Sequence, residues 1–133
     1  MMRWLPRRRN LTKNTDVGQA AERLARELLE SRGLRAIGEN YRCRWGEIDL
    51  IMRDDTCVVF VEVRYRRGSA WGSPLETVDA RKQTRIVRSA LHFLSRHPAL
   101  ADHAQRFDVV SVTPGKDGGA ALDWVQNAFQ PLE

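Results

Sequence analysis

The chain has 133 residues, 42% hydrophobic and 29% charged, which is enough to bury one core and too apolar for a disordered polymer. Twenty-two Lys and Arg against 17 Asp and Glu leave a net charge of +5, carried almost wholly by arginine; this points to a polyanionic partner, although so small a surplus also serves solubility alone. Cys43 and Cys57 lack zinc-ligand spacing, Arg7-Arg8-Arg9 interrupts any apolar leader, and runs such as Cys57 to Val61 are too short to cross a bilayer, so a reduced, cytoplasmic protein without membrane association is expected.

Residues 1–16 carry Arg3, Arg7, Arg8, Arg9 and Lys13 without apolar periodicity, and predict a flexible basic arm ahead of a single domain over 17–133. Asp16 offers an N-cap, Ala20, Ala21, Leu24, Ala25, Leu28 and Leu29 recur at helical spacing, and Gly33 offers a C-cap. Three strand-like runs follow, 35–42, 47–53 and 56–65, the last two separated by Asp54-Asp55 as in a hairpin. Residues 67–74, rich in Gly and Ser, predict a mobile loop.

Asp79 to Arg96 predicts the second helix, with Ile86, Val87, Ala90, Leu91 and Leu94 on its apolar face. Its other face aligns Arg81, Arg85, Arg88, His92 and Arg96 in a stripe of one sign, which is either a solvated face or a phosphate contact. Strands at 107–112 and 122–129 complete the order α-β-β-β-α-β-β. That order predicts an α/β fold, a mixed central β-sheet flanked by helices, with a parallel crossover through the second helix.

A symmetric hairpin centred on Asp54-Asp55 pairs Glu47 with Glu62 and Asp49 with Phe60. Glu47, Asp49, Glu62 and Arg64 then share one face, with Asp49 diagonal to Glu62, about 6–8 Å apart at Cβ. The opposite face is Ile48, Leu50, Met52, Val59, Val61 and Val63, expected to be core. Acids clustered on strands that also carry Ile51, Val58 and Phe60 cost energy unless a cation joins them, and converging carboxylates suit Mg²⁺. An ion pair between Glu62 and Arg64, with Asp49 accepting backbone hydrogen bonds, accounts for the same residues without a metal.

Other chemistry is weakly signalled. His92, His97 and His103 lack ligand spacing, and neither a Walker-type loop nor a G-x-S-x-G motif is present. Trp71 in the Gly-rich loop either stacks on a base or packs on its own domain.

The runs Gly46-Glu47-Ile48-Asp49-Leu50-Ile51 and Phe60-Val61-Glu62-Val63-Arg64, then Lys82, then Arg106-Phe107-Asp108-Val109-Val110, resemble the YraN-like family of small bacterial predicted endonucleases over about residues 17–113. That family is similar to the Holliday junction resolvases and, by its pattern, to the restriction endonuclease-like PD-(D/E)xK superfamily. The resemblance implies a restriction endonuclease-like fold and an endonuclease dependent on Mg²⁺ or Mn²⁺ that cuts DNA, branched or structured, in repair or recombination. It puts Asp49 at the motif's Asp, Glu62 at its second acid, Arg64 at its Lys, and Glu22 where related resolvases place a further carboxylate.

In that scheme Asp49, Glu62, the Val63 carbonyl and Glu22 hold the metal. Arg64 steadies developing charge, Lys82 with Arg81, Arg85 and Arg88 binds the DNA backbone, and a homodimer would suit symmetric cutting of two strands. Ile48 stands at the motif's proline and Arg64 at its lysine. A guanidinium that stays protonated is unsuited to general-base work, so a nucleic-acid-binding module with a nuclease-like fold is the alternative. A third option makes the acids a structural charge cluster in a protein that binds another protein.

Overall fold

A computed structural model describes residues 8–66, 78–115 and 117–131, with side chains from residue 16 onward. Among the described residues, two helices and five strands run in the order α1 (Arg8–Ser31), β1 (Arg35–Cys43), β2 (Gly46–Arg53), β3 (Cys57–Tyr65), α2 (Ala80–Ser95), β4 (Ala104–Pro114) and β5 (Ala120–Phe129), with a short 3₁₀ turn at Pro98–Leu100. The strands form one sheet in the order β1-β2-β3-β4-β5. Only the β3–β4 pair is parallel, because α2 carries the chain back across the sheet between them. This is the expected α/β arrangement, a mixed central sheet flanked by helices.

Each helix covers one face. Ala21, Ala25 and Leu29, spaced four apart on α1, bury against Leu50, Met52, Val59, Val61, Val110 and Val112. Across the sheet, Ile86, Ala90, Phe93 and Leu94 of α2 bury against Ile51, Val58, Phe60, Phe107 and Val109. Leu91, expected among the apolar contacts of α2, is 58% exposed, since it lies a turn's fraction off the buried stripe.

The termini of the helices follow their sequence signals in part. Gly33, at φ +94°, turns the chain after α1 while the N–H of Leu34 donates to the carbonyl of Leu29. Asp79 caps α2 by accepting from the N–H of Lys82 at 2.9 Å. By contrast, α1 starts at Arg8 and not at Asp16, so part of the stretch expected as an arm is helical. No Gly or Pro interrupts residues 8–17, and Arg, Leu and Lys propagate a helix already nucleated on its buried face. Residues 1–7 and Trp71 with its loop lie outside the described residues.

The register of the β2–β3 hairpin also differs. Leu50 pairs with Val61, Ile51 with Phe60, Met52 with Val59 and Arg53 with Val58, a shift of two residues from the symmetric expectation. Asp54 causes it: its Oδ1 accepts from the N–H groups of Thr56 at 2.9 Å and Cys57 at 2.8 Å, building a longer turn. Those bonds also lower its pKa. A two-residue shift leaves each side chain on its face, whereas a one-residue shift would have turned the carboxylates over. Carried one step on, the observed register sets Asp49 opposite Glu62 and no longer diagonal to it.

Asp108 in β4 is completely buried and fully bonded. Arg106 donates to it twice at 2.9 Å, the Trp124 indole at 2.8 Å and the Asn127 N–H at 2.9 Å, the last where β5 slips register against β4 and Asn127 adopts φ +52°. The carboxylate thereby ties the edge strand β5 to the sheet. Replacing Asp108 with Ala leaves these donors unpaired and should lower the unfolding free energy by roughly 3–5 kcal/mol. Urea denaturation measures this, and a loss below about 1 kcal/mol would show the network to be dispensable.

Candidate active site

Beyond Leu50 and Val61 the strands β2 and β3 part. β2 stays with β1 through Ile48 and Glu47, and β3 stays with β4 through Glu62, Val63 and Arg64. The carboxylate of Asp49 fills the opening, its Oδ2 accepting from the N–H of Val63 at 2.8 Å where a ladder bond would otherwise form. On the other side of β2, the register places Asn40 across from Asp49, and Asn40 has φ +51°. The strand turns here. Ile48 therefore packs with the α2 core while Leu50 and Met52 pack with the α1 core, which corrects the expectation that all of them line one face.

Glu62 follows Phe60 toward α2, and its side chain is 4% exposed. The Nζ of Lys82 lies 2.9 Å from its Oε2, and an Arg64 nitrogen lies 3.2 Å from the same oxygen. Both cations retain about a third of their surface, 37% for Lys82 and 32% for Arg64, so the site opens to solvent past them. The Asp79 cap fixes the first turn of α2 and with it the direction from which Lys82 enters. Expected only as a contact to the nucleic-acid strand, Lys82 belongs to the carboxylate cluster itself.

Glu22 on α1 closes the other side. It is half buried, hydrogen-bonds the Asn40 side chain, and interacts electrostatically with Glu62, Glu47 and Glu39. Burial raises its pKa first, those three acids add to the rise, and the Asn40 bond opposes it. Glu47, expected opposite Glu62, instead pairs across the strands with Arg42 at 3.6 Å and is exposed.

Asp49 is the most perturbed of the set. Burial and then the charge of Glu62 hold its carboxyl well above the ordinary carboxylate range, against the pull of the Val63 N–H, with Glu22 adding to the rise. Both parts of the metal-free account are present, the Glu62–Arg64 pair and the backbone bond to Asp49. They leave Asp49 facing Glu62 with no cation of its own among the described contacts, the two cations being seated on Glu62. Among the described residues no group of three or more His, Cys, Asp or Glu side chains forms a metal cage. Mg²⁺ does not require one, since it commonly takes one or two carboxylates and fills its other positions with water and substrate phosphate. The two acids at an open fork, with Glu22 beside them, fit that donor set.

Away from the fork, Arg81, Arg85 and Arg88 are exposed on α2 as expected. His92 is not part of their stripe, because the Tyr41 hydroxyl hydrogen-bonds its Nδ1 in a half-buried contact. Two contributors went unseen in the sequence. Asn40 was legible only as an Asn inside a strand, a residue that tolerates positive φ better than most. Trp45, 37% exposed at the β1–β2 turn, was legible as an aromatic beside Arg44 at a hairpin tip.

The pattern described as "Uncharacterised protein family UPF0102" matches residues 21–112, a span that holds Glu22, Asp49, Glu62, Arg64 and Lys82. The chain is 50% identical over 119 residues to a UPF0102 protein of Ectopseudomonas mendocina (strain ymp), covering 90% of this chain and 98% of that one. It is 47% identical over 121 residues to a UPF0102 protein of Stutzerimonas stutzeri (strain A1501), with 90% and 99% covered. A UPF0102 protein of Pseudomonas aeruginosa (strain LESB58) is 50% identical over 115 residues, with 86% and 92% covered.

The raised pKa of Asp49 makes a stability prediction. The folded protein holds this proton more tightly than the unfolded chain, whose Asp titrates near about 3.9, so the stability it confers is lost as pH rises through the raised folded value. Asp49→Asn stays neutral and can still accept from Val63. In metal-free protein its melting temperature should exceed the wild type's by a margin that widens as pH rises above the unfolded value of about 3.9. Mg²⁺ or Mn²⁺ at neutral pH should narrow that margin. A margin that shrinks with rising pH would contradict the assignment.

Proposed function

The chain belongs to the uncharacterised protein family UPF0102, and we propose that it is a metal-dependent endonuclease that hydrolyses phosphodiester bonds of DNA. The observation that supports this most is the fork itself, where the protonation-prone Asp49 stands opposite buried Glu62 with two cations at one Glu62 oxygen. Asp49 and Glu62, with the Val63 carbonyl and Glu22, would hold Mg²⁺ or Mn²⁺. When bound, such an ion activates water and neutralises charge on the attacked phosphate.

The side chains divide the remaining work. Lys82 brings to Glu62 the compact ammonium that the motif elsewhere carries on the strand, and in this proposal it takes the part that Arg64 is unsuited to. Arg64 keeps its guanidinium at the rim, where it stabilises negative charge that develops on the phosphate without exchanging a proton. Arg81, Arg85 and Arg88, exposed along α2, hold the DNA backbone electrostatically. Branched or structured DNA, as in repair or recombination, and a homodimer cutting two strands belong to the same proposal through the resolvase resemblance.

The same contacts favour a second function. With both cations seated on one oxygen of Glu62, the cluster is also neutralised by the protein's own groups, as suits a module that binds nucleic acid without cutting it.

Cleavage of labelled duplex, single-stranded and four-way-junction DNA with Mg²⁺, Mn²⁺ or chelator separates the two. The nuclease proposal expects metal-dependent cutting, reduced at least about 100-fold in Asp49→Ala and in Lys82→Ala, and reduced less in Arg64→Ala. Binding without cutting on all three DNAs, unchanged by Arg64→Lys, would establish the binding module instead.

A further inference from the structure

Cys43 and Gly46 pair across the end of the β1–β2 hairpin, leaving Arg44 and Trp45 as its tip. The tip lies directly on α2. A Cβ on Gly46 would stand 3.5 Å from the Arg85 Cβ and 3.6 Å from the Ser89 hydroxyl, and Gly46 has φ +146°, which side chains rarely adopt. The Cys43 thiol adds a contact to the Ser89 hydroxyl at 3.5 Å. Glycine at this position therefore lets the hairpin tip settle against the helix and carries Trp45 over its arginines.

Two guanidinium groups stand over the Trp45 ring, Arg44 at 4.8 Å and Arg88 at 5.0 Å from its centroid, while the indole stays 37% exposed. Among the described residues no salt bridge joins Arg44, Arg85 or Arg88 to a carboxylate. Like charges are thus gathered around one aromatic ring without an internal counter-ion. A guanidinium held over a ring face keeps its N–H edges available and loses rotational freedom before any ligand arrives, which favours bidentate contact with phosphate. Lys82, at Glu62, and Arg88, at Trp45, are six residues apart on α2. Along the helix that is about 9 Å of axial rise, with the two side chains about 120° apart around it.

We propose that Arg44, Trp45 and Arg88 form a phosphate clamp for the DNA backbone, on the same helix that carries Lys82 to the Asp49–Glu62 fork. The choice of DNA rests on the function proposed above. Trp45 acts as the platform that orients the two arginines, so its removal disables the clamp without changing the protein's charge.

Fluorescence anisotropy of labelled duplex in chelator, titrated with salt, tests the clamp apart from any cutting. Trp45→Ala should bind about ten-fold more weakly than the wild type with its melting temperature kept. The Arg44→Ala/Arg88→Ala double variant should bind more weakly still, with a salt slope shallower by about two. Arg88→Lys, which keeps the charge and loses the planar group, should resemble Trp45→Ala and serves if that variant does not fold. Wild-type binding that Trp45→Ala and Arg88→Lys both match would overturn the clamp while leaving the proposed function intact. A wild type that binds no DNA at low salt would overturn both.

Discussion

The hydrogen bond from the Val63 N–H to the Asp49 carboxylate decides how this molecule is put together at its candidate site. Two adjacent antiparallel strands ordinarily stay paired, because each unpaired backbone group away from water costs about 1–3 kcal/mol. Here a side chain satisfies the donor that the parted ladder releases. The strands can then diverge, and the divergence creates the opening at which Asp49 faces Glu62, with Glu22 within electrostatic reach of both. Without an acceptor at position 49, either the strands close and the cleft disappears, or the Val63 N–H is stranded.

Everything around the fork is arranged to hold like charges at close quarters. Asn40 takes a positive φ across from Asp49 and offers its side chain to Glu22; Lys82 enters from the capped first turn of α2, and Arg64 comes from β3 itself. At the far edge, Asp108 does for β4 and β5 what Asp49 does for β2 and β3: it accepts donors that an irregular register leaves over. The two acids differ in compensation. Arg106 pairs bidentately with Asp108, while Asp49 faces another carboxylate and has no cation of its own among the described contacts. A satisfied acid is structural, whereas an acid kept costly at an opening is a candidate for chemistry.

The same helix serves both the core and the charged surface. Ile86, Ala90, Phe93 and Leu94 anchor α2 to the sheet, and this fixes where Lys82, Arg85 and Arg88 emerge. Gly46 then sets the hairpin tip against those arginines. One helix that also packs on the sheet consequently carries Lys82 to the acidic fork and bears Arg85 and Arg88, a juxtaposition of the sort a polyanion needs if its backbone is to be held close to carboxylates that would otherwise repel it.

Periodicity was enough to read the element order, the parallel crossover, the C-terminal end of α1 and the ends of α2, because these depend on spacing along the chain and on local capping by Gly33 and Asp79. The family resemblance also offered Glu22, Asp49, Glu62 and Arg64 as one candidate site, with Lys82 as a contact to DNA. Spacing could not supply the hairpin register, since Asp54 builds its turn from side-chain bonds that add two residues to the loop. Nor could it reveal that β2 turns at Asp49 so that Ile48 and Leu50 enter different cores, that Lys82 reaches Glu62 from another element, or that Trp45 lies under Arg88. Each of those contacts joins residues distant in the chain, and only the packing of α1 and α2 on opposite faces of a forked sheet brings them within reach.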